Sequence, residues 1–211
     1  MKKLRFLSAA ALACLALSVL QPLSAQDGKV LLIVKDGTSA DLEFMLTQEV
    51  GVMKTMLEDA GFRVVVGSPS GQPLVGEETT VAPDLKLADA DMADFSGIIM
   101  PCMALASEPD LPEAGRLVRE AVASGKPVAA QLGSVVTLAR AGVLEGKKFA
   151  YADEWVGDVP ELEGMDHEGQ GVVEDGPVIT SGICPFAAQT LEVEDTTPAL
   201  TKALIAQLSG T

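Results

Sequence analysis

Histidine, tryptophan and tyrosine each occur once in the 211 residues, and cysteine three times. One histidine, His167, does not supply an ordinary zinc site, which draws several imidazole and thiolate ligands together. Aromatic residues make up 4% of the chain, too few for stacking platforms that grip sugars or bases. Positive charge is scarce. Fifteen Lys and Arg stand against 30 Asp and Glu, for a net charge of −15. Such a balance excludes nucleic acid and anionic membrane as partners. No glycine-rich phosphate loop and no GxSxG is present. No metal or cofactor is therefore expected. Internal repeats, low-complexity tracts and long linkers are missing as well, so one domain is expected.

The N-terminus reads as a processing segment. Lys2, Lys3 and Arg5 precede an apolar stretch from Phe6 to Leu20, and Leu23-Ser24-Ala25 offers a small-residue cleavage site. The stretch is too short for a comfortable membrane span. Cys14 lies inside it, without a convincing lipobox. A signal peptide over 1–25 implies export to the periplasm or medium and no membrane attachment after cleavage. Removing 25 of 211 residues leaves 186, and the loss of three basic residues takes the charge from −15 to −18. Cys102 and Cys184 remain, in a compartment where a disulfide is permissible.

What is present is an alternation of strand and helix. Val30–Val34 is a continuous apolar run, as suits a parallel strand covered on both faces, and further strands are expected at Phe62–Val66, Gly97–Met100 and Val128–Gln131. Helices are expected over 41–59, where Leu42, Met45, Leu46, Val50, Met53 and Leu57 recur at spacings of three and four, and over 111–123, 135–141 and 198–208, the last with Thr197 as N-cap. Residues 74–87 read as a β ribbon or irregular excursion, and 155–171 as an acidic surface excursion. Asp175-Gly176 between two β-rich runs signals a hairpin. The pattern predicts an α/β fold with a mostly parallel central sheet. In such sheets ligands bind outside the carboxyl ends of the strands. The expected pocket therefore takes in the loops at Asp36-Gly37, Pro101–Ala104 and Leu132–Ser134.

The segment from Gly125 to Lys148 has the layout of a nucleophile elbow, a reactive side chain on a strand-to-helix turn. No Cys, Ser or Thr stands at its tip, Leu132. Ser134 is expected to cap the following helix rather than attack anything, because no base is near it in sequence.

GKVLLIVKDG, LEDAGFRVVVGSPSG, PDLKLAD, FSGIIMP, GKPVAA, LARAGVLEGKK and VVEDGPVITS together resemble the ThiJ/PfpI family of the class I glutamine amidotransferase-like superfamily. The resemblance implies a flavodoxin-like three-layer sandwich and, in many members, a homodimer. Family activities include peptidase, chaperone, and glyoxalase or deglycase chemistry. Most use an elbow Cys, usually followed by His, an acid from the first helix that hydrogen-bonds the thiol, and backbone amides near a Gly-Gly pair after the third strand as an oxyanion hole. Aligned residue by residue, the Cys falls on Leu132, the His on Gly133, the acid on Glu49 and the Gly-Gly pair on Cys102-Met103. Glu43 is a weaker candidate for the acid.

An isobutyl group has no lone pair, so Leu132 removes the family's nucleophile. The leading expectation is an exported pseudoenzyme: a degenerate elbow whose mouth binds a small molecule or a protein partner without catalysis. The pocket would be formed by Asp36, Gly37, Glu49, Cys102, Met103, Leu132, Gly133 and Ser134. The alternative is a redox or hydrolytic enzyme built from Glu49, Cys102 and Cys184. The two thiols follow strands whose ends converge in this fold, which would allow a disulfide, a redox pair or, with His167, part of a soft metal site. Two unrelated buried cysteines are the plainer reading.

Overall fold

The structure, a computed structural model, describes residues 28–37 and 39–210. The leader expected at 1–25 lies outside them. The first strand, β1 (Lys29–Ile33), is followed by a short helix α1 (Leu42–Met45), a π-helical segment (Leu46–Gly51) and α2 (Val52–Asp59). Asp41 opens this helical stretch by accepting a hydrogen bond from Phe44 N at 3.0 Å, the role an N-cap aspartate plays. Then come β2 (Arg63–Ser68), a ribbon of β3 (Leu74–Val75) and β4 (Thr80–Val81), an edge strand β5 (Leu85–Lys86), and β6 (Gly97–Met100). The second half carries α3 (Pro112–Ala123), β7 (Val128–Gln131), α4 (Gly133–Arg140), a pair β8 (Lys148–Phe149) and β9 (Asp166–His167), the hairpin β10 (Val172–Asp175) and β11 (Val178–Ser181), and two helices, α5 (Pro185–Leu191) and α6 (Thr197–Ser209).

Seven strands form one sheet in the order β10-β11-β7-β6-β1-β2-β5. All neighbours run parallel except the β10–β11 hairpin. Strand alternation sends successive residues to opposite faces, and both faces are covered. Leu31 and Ile33 pack with Leu117, Val118 and Leu138 of α3 and α4 on one side. Val30, Leu32 and Val34 pack with Met53, Leu57, Leu200 and Leu204 of α2 and α6 on the other. Double coverage is why the central strands read as unbroken apolar runs. The three-layer α/β sandwich expected from the sequence is the fold observed.

Local differences have physical reasons. The helix expected over 41–59 is interrupted by the π segment, which periodicity cannot reveal because it adds a residue per turn without changing composition. Ser134 is not the cap of α4. Leu132 occupies that position and Ser134 lies within the first turn, its hydroxyl turned to the Pro101 carbonyl at 2.6 Å. Likewise Thr196, not Thr197, precedes α6. α5 is an element that the sequence reading does not contain. Its seven residues are too few to show a helical period. The excursion at 155–171 is less superficial than its acidity suggests, since Trp155 and Leu162 pack against the core.

Sheet order decides where loops meet. From β1 the chain steps to β2 on one side and then returns to β6 on the other. The reversal lies between β1 and β6, where doubly wound sheets open a crevice. Lys35 follows β1, Cys102 follows β6, Leu132 follows β7 and Cys184 follows β11, so these four leave neighbouring parallel strands at the same edge.

The packing makes a direct expectation. Leu204→Ala, on a fully buried face of α6, should cost about 2–5 kcal/mol in urea unfolding. Lys54→Ala, which removes only an exposed pair with Glu58, should cost less than about 1 kcal/mol. Similar costs for the two would contradict the assignment of α6 to the core.

Candidate functional site

A cavity of about 740 Å³ opens at the carboxyl edge of the sheet. Cys102, Leu132 and Gly133 line its floor, and Tyr151, Trp155, Phe186 and Arg140 contribute to its walls. The elbow is real in its backbone. Leu132 has φ +40° and ψ −108°, a conformation that costs an ordinary residue of order 1–3 kcal/mol. Its amide donates to Ser181 O at 2.8 Å, which ties the turn to β11. The side chain at this strained point remains an inert isobutyl group.

Glu49 is fully buried, in the π segment of the first helical stretch, the kind of local distortion that marks functional sites. Both carboxyl oxygens face backbone donors: Cys102 N–H donates to Oε1 at 2.7 Å and Met103 N–H to Oε2 at 2.9 Å. These amides belong to the two residues on which the family's Gly-Gly pair falls. Both are committed to Glu49, which secures the Cys102 loop. Burial drives the Glu49 pKa well above the usual carboxylic range, and the neighbouring Cys102 thiolate pushes it the same way. Glu43, the other acid considered, accepts from the Thr79 hydroxyl and from Glu78 N and Thr79 N, which lowers its pKa, the hydroxyl most of all, and it is not part of the cavity wall.

The loop that Glu49 holds is strained too. Met103 and Ala104 both have left-handed backbones, at φ +65° and +46°. Ser39 Oγ donates to Met103 O and Ala40 N to Ala104 O, so the loop is clamped on both sides. The clamp sets Cys102 Sγ under the cavity with 5% of the residue exposed. The Cys184 thiol and the amides of Gly133 and Ala104 are this sulfur's polar neighbours, and the Lys35 ammonium is nearby. These donors outweigh desolvation and pull the Cys102 thiol below its usual pKa. Cys184 moves the other way, because it supplies the hydrogen bond and sits in a closed apolar setting beside a thiolate. Of the pair, Cys102 is the one whose surroundings favour the thiolate. Both cysteines are free thiols.

Two groups at the centre of the site have no counterpart in the sequence reading. Lys35 is completely buried and donates to both oxygens of Glu108, at 3.0 and 2.9 Å. Glu108 lines the cavity. Gly133 makes room for them. A Cβ placed on Gly133 would lie 2.8 Å from Glu108 Oε2, 3.6 Å from Cys102 Sγ and 3.7 Å from Lys35 Nζ. Thiol, carboxylate and ammonium thus surround the point where the family's histidine would begin. Gly182 does similar work behind the site, since any side chain there would overlap the Tyr151 backbone. Gln131 Nε2 donates to Ile183 O at 2.8 Å and fixes the approach to Cys184.

The expected pocket is therefore corrected in part. Cys102, Leu132 and Gly133 line the cavity. Glu49, Met103 and Ser134 lie buried behind its floor. Asp36 and Gly37 do not belong to the cavity wall. Asp36 accepts from Ser70 N at 2.8 Å and Ser70 Oγ at 3.0 Å, and with Gly37 it borders a separate hollow. The carboxylate serves as a turn anchor, which is the commoner fate of Asp after a strand. His167 Nε2 donates to Tyr151 O at 3.0 Å, and among the described residues no group of three His, Cys, Asp or Glu is placed to hold a metal ion. Lys35 was missed because a lysine closing an apolar run normally reads as a solvated strand end, and Glu108 because SEPDLP reads as an ordinary surface loop.

Comparison with known proteins agrees with this architecture. The sequence pattern described as the DJ-1/PfpI family matches residues 28–191. No curated protein matches. A ThiJ/PfpI domain protein from Brachyspira murdochii superposes with TM-score 0.66 at 18% identity, covering 88% of this chain and 98% of that one. DJ-1beta of Drosophila melanogaster gives 0.63 at 21%, covering 88% and 92%. A protein from Anabaena variabilis with DJ-1/ThiJ/PfpI-like and ferritin-like domains gives 0.66 at 25%, covering 86% of this chain and 50% of its own. At identities under 25%, the first two similarities speak to fold alone.

The buried acid makes a pH-dependent expectation. Glu49 binds a proton more tightly in the folded chain than unfolded. Between about pH 4.5 and its raised folded-state pKa, the native state holds the extra proton, so stability falls as pH rises. The slope from one such group is at most about 1.4 kcal/mol per pH unit. Glu49→Gln should flatten that decline in urea melts taken across the window. An unchanged slope would mean that Glu49 does not titrate as its burial dictates.

Proposed function

We propose that this chain, which belongs to the DJ-1/PfpI family, is a thiol-dependent redox protein whose reacting sulfur has moved from the elbow to the neighbouring loop. Cys102 is the reacting thiol and Cys184 its resolving partner. The observation that carries this reading is the Cys102 sulfur itself, on the floor of a cavity and 3.6 Å from the Cβ position of Gly133, with a second thiol and the Lys35 ammonium as neighbours. A thiolate held by amide and thiol donors next to a lysine is poised for nucleophilic attack. An oxygen-donating oxidant would convert Cys102 to a sulfenic acid. Attack by Cys184 would then release water and form a disulfide, which an external thiol reductant would reopen. Glu49 contributes by fixing the loop. The leader at 1–25 supports an exported setting, where such a disulfide can persist. A homodimer is compatible with this reading.

Non-catalytic binding of a small molecule or protein partner at the same mouth is the second reading. It is favoured by the inert Leu132 and by the two loop amides already committed to Glu49. The readings differ in the reactivity of one sulfur. On the first, iodoacetamide should alkylate Cys102 in the reduced native protein with a pH midpoint below the free-thiol value of about 8.5. Peroxide should remove two hydrogens and link Cys102 to Cys184 in peptide maps, while Cys184→Ser should stop at the sulfenic acid. Thiols that stay inert until the protein unfolds would refute the redox reading and favour binding.

A further inference from the structure

Resting on that reading of Cys102, we propose that Glu108, backed by Lys35, is the proton donor of the cavity, and that the substrate class is an organic hydroperoxide with an apolar body. Two independent features point there. The first is the walls. Leu105, Leu132, Val136, Trp155, Val159 and Phe186 surround the space above Cys102, so a substrate gains by presenting hydrocarbon. Arg140, the cation at the rim, is already committed to Glu161 and to the carbonyls of Glu108 and Pro109, and the chain as a whole is acidic. An anionic substrate finds no free countercharge there. The cavity is also far larger than hydrogen peroxide requires.

The second feature is the ion pair. A thiolate that attacks a peroxide needs no base, since it is already ionised, but the oxygen it displaces leaves as an alkoxide and needs an acid. Glu108 reaches the cavity, stands 2.8 Å from the Cβ position above Gly133, and holds Lys35 Nζ behind it at 2.9 Å. The Cys102 sulfur lies 3.6 Å from the same position. Nucleophile and acid therefore face one small volume, as general acid catalysis requires.

Cys102 S⁻ attacks the terminal oxygen of R–O–OH. The S–O bond forms and the O–O bond breaks. The departing alkoxide takes a proton that passes from Lys35 through Glu108, leaving ROH, Cys102–SOH and a neutral Lys35 amine. The Cys184 thiol then attacks Cys102 sulfur, its proton and the expelled hydroxide combine as water, and the disulfide forms. Solvent returns one proton to Lys35. Two electrons have passed from the sulfurs to the peroxide oxygens, and a dithiol reductant outside the protein would restore the pair.

Iodoacetamide provides the control, because iodide leaves without a proton. Reduced full-length protein would be mixed in single turnover with cumene hydroperoxide, hydrogen peroxide or iodoacetamide, with each rate divided by that of free cysteine. Wild type should prefer cumene hydroperoxide over hydrogen peroxide by at least about tenfold. Glu108→Gln keeps an acceptor for Lys35 and should slow the hydroperoxide reaction about a hundredfold. Its alkylation should be unchanged or faster, since removing the carboxylate leaves Lys35 freer to attract the thiolate. Glu108→Asp, which keeps the acid, should recover much of the lost rate. If Glu108→Gln slows both reagents alike, or neither, the proton relay is wrong. Equal normalised rates with the two peroxides would exclude the apolar substrate. If wild type resists iodoacetamide as well, it is the underlying assignment of Cys102 that fails.

Discussion

The carboxyl group of Glu49, bound to the amides of residues 102 and 103, is the interaction on which this site depends. Two consecutive residues in that loop, Met103 and Ala104, carry left-handed backbones, a conformation that costs L-residues energy. Such a loop persists only if its surroundings over-determine it. Two hydrogen bonds in a dry interior do so, because releasing them would leave buried donors unpaired. The cost is transferred to Glu49, which must exist in an environment hostile to its charge. The same clamp orients Cys102, so the loop geometry and the character of the sulfur are two consequences of one contact.

A second constraint is exclusion of volume. Gly133 follows the strained Leu132, and the space that a side chain would occupy is filled by Glu108, with Cys102 and Lys35 at its edge. The absence of a side chain at Gly133 and the placing of a buried ion pair beside it are thus one structural arrangement. Burying Lys35 and Glu108 carries a desolvation cost that pairing only partly offsets. A buried pair of this kind adds little to stability, which makes its position next to the Cys102 sulfur more informative than its strength.

The resting arrangement also explains how two carboxylic acids and two thiols coexist in one small region. Cys102 takes the negative charge because amides, a thiol and an ammonium face it. Glu49 and Cys184 are pushed toward their protonated forms by the same charge. Tyr151, also raised by burial, remains a neutral phenol in the wall. Beside the Lys35–Glu108 ion pair, Cys102 is favoured as an anion while Glu49, Cys184 and Tyr151 are favoured as neutral groups.

The sequence by itself determined the sheet strands other than the edge strand β5, the hairpin at Asp175-Gly176 and the strand-to-helix turn at Leu132, because these rest on local apolar runs and turn chemistry. It marked Glu49, Cys102 and Cys184 as candidates, since a resemblance spanning the chain assigns positions. The tertiary structure alone decided that Glu49 faces two amides rather than an elbow thiol, that Asp36 anchors a turn away from the cavity, and that Lys35 and Glu108 meet 73 residues apart. Such contacts arise from strand order and helix register. Neither the π segment that turns Glu49 inward nor the return of the chain from β2 to β6 leaves a mark in composition, and these features set which side chains share a buried volume.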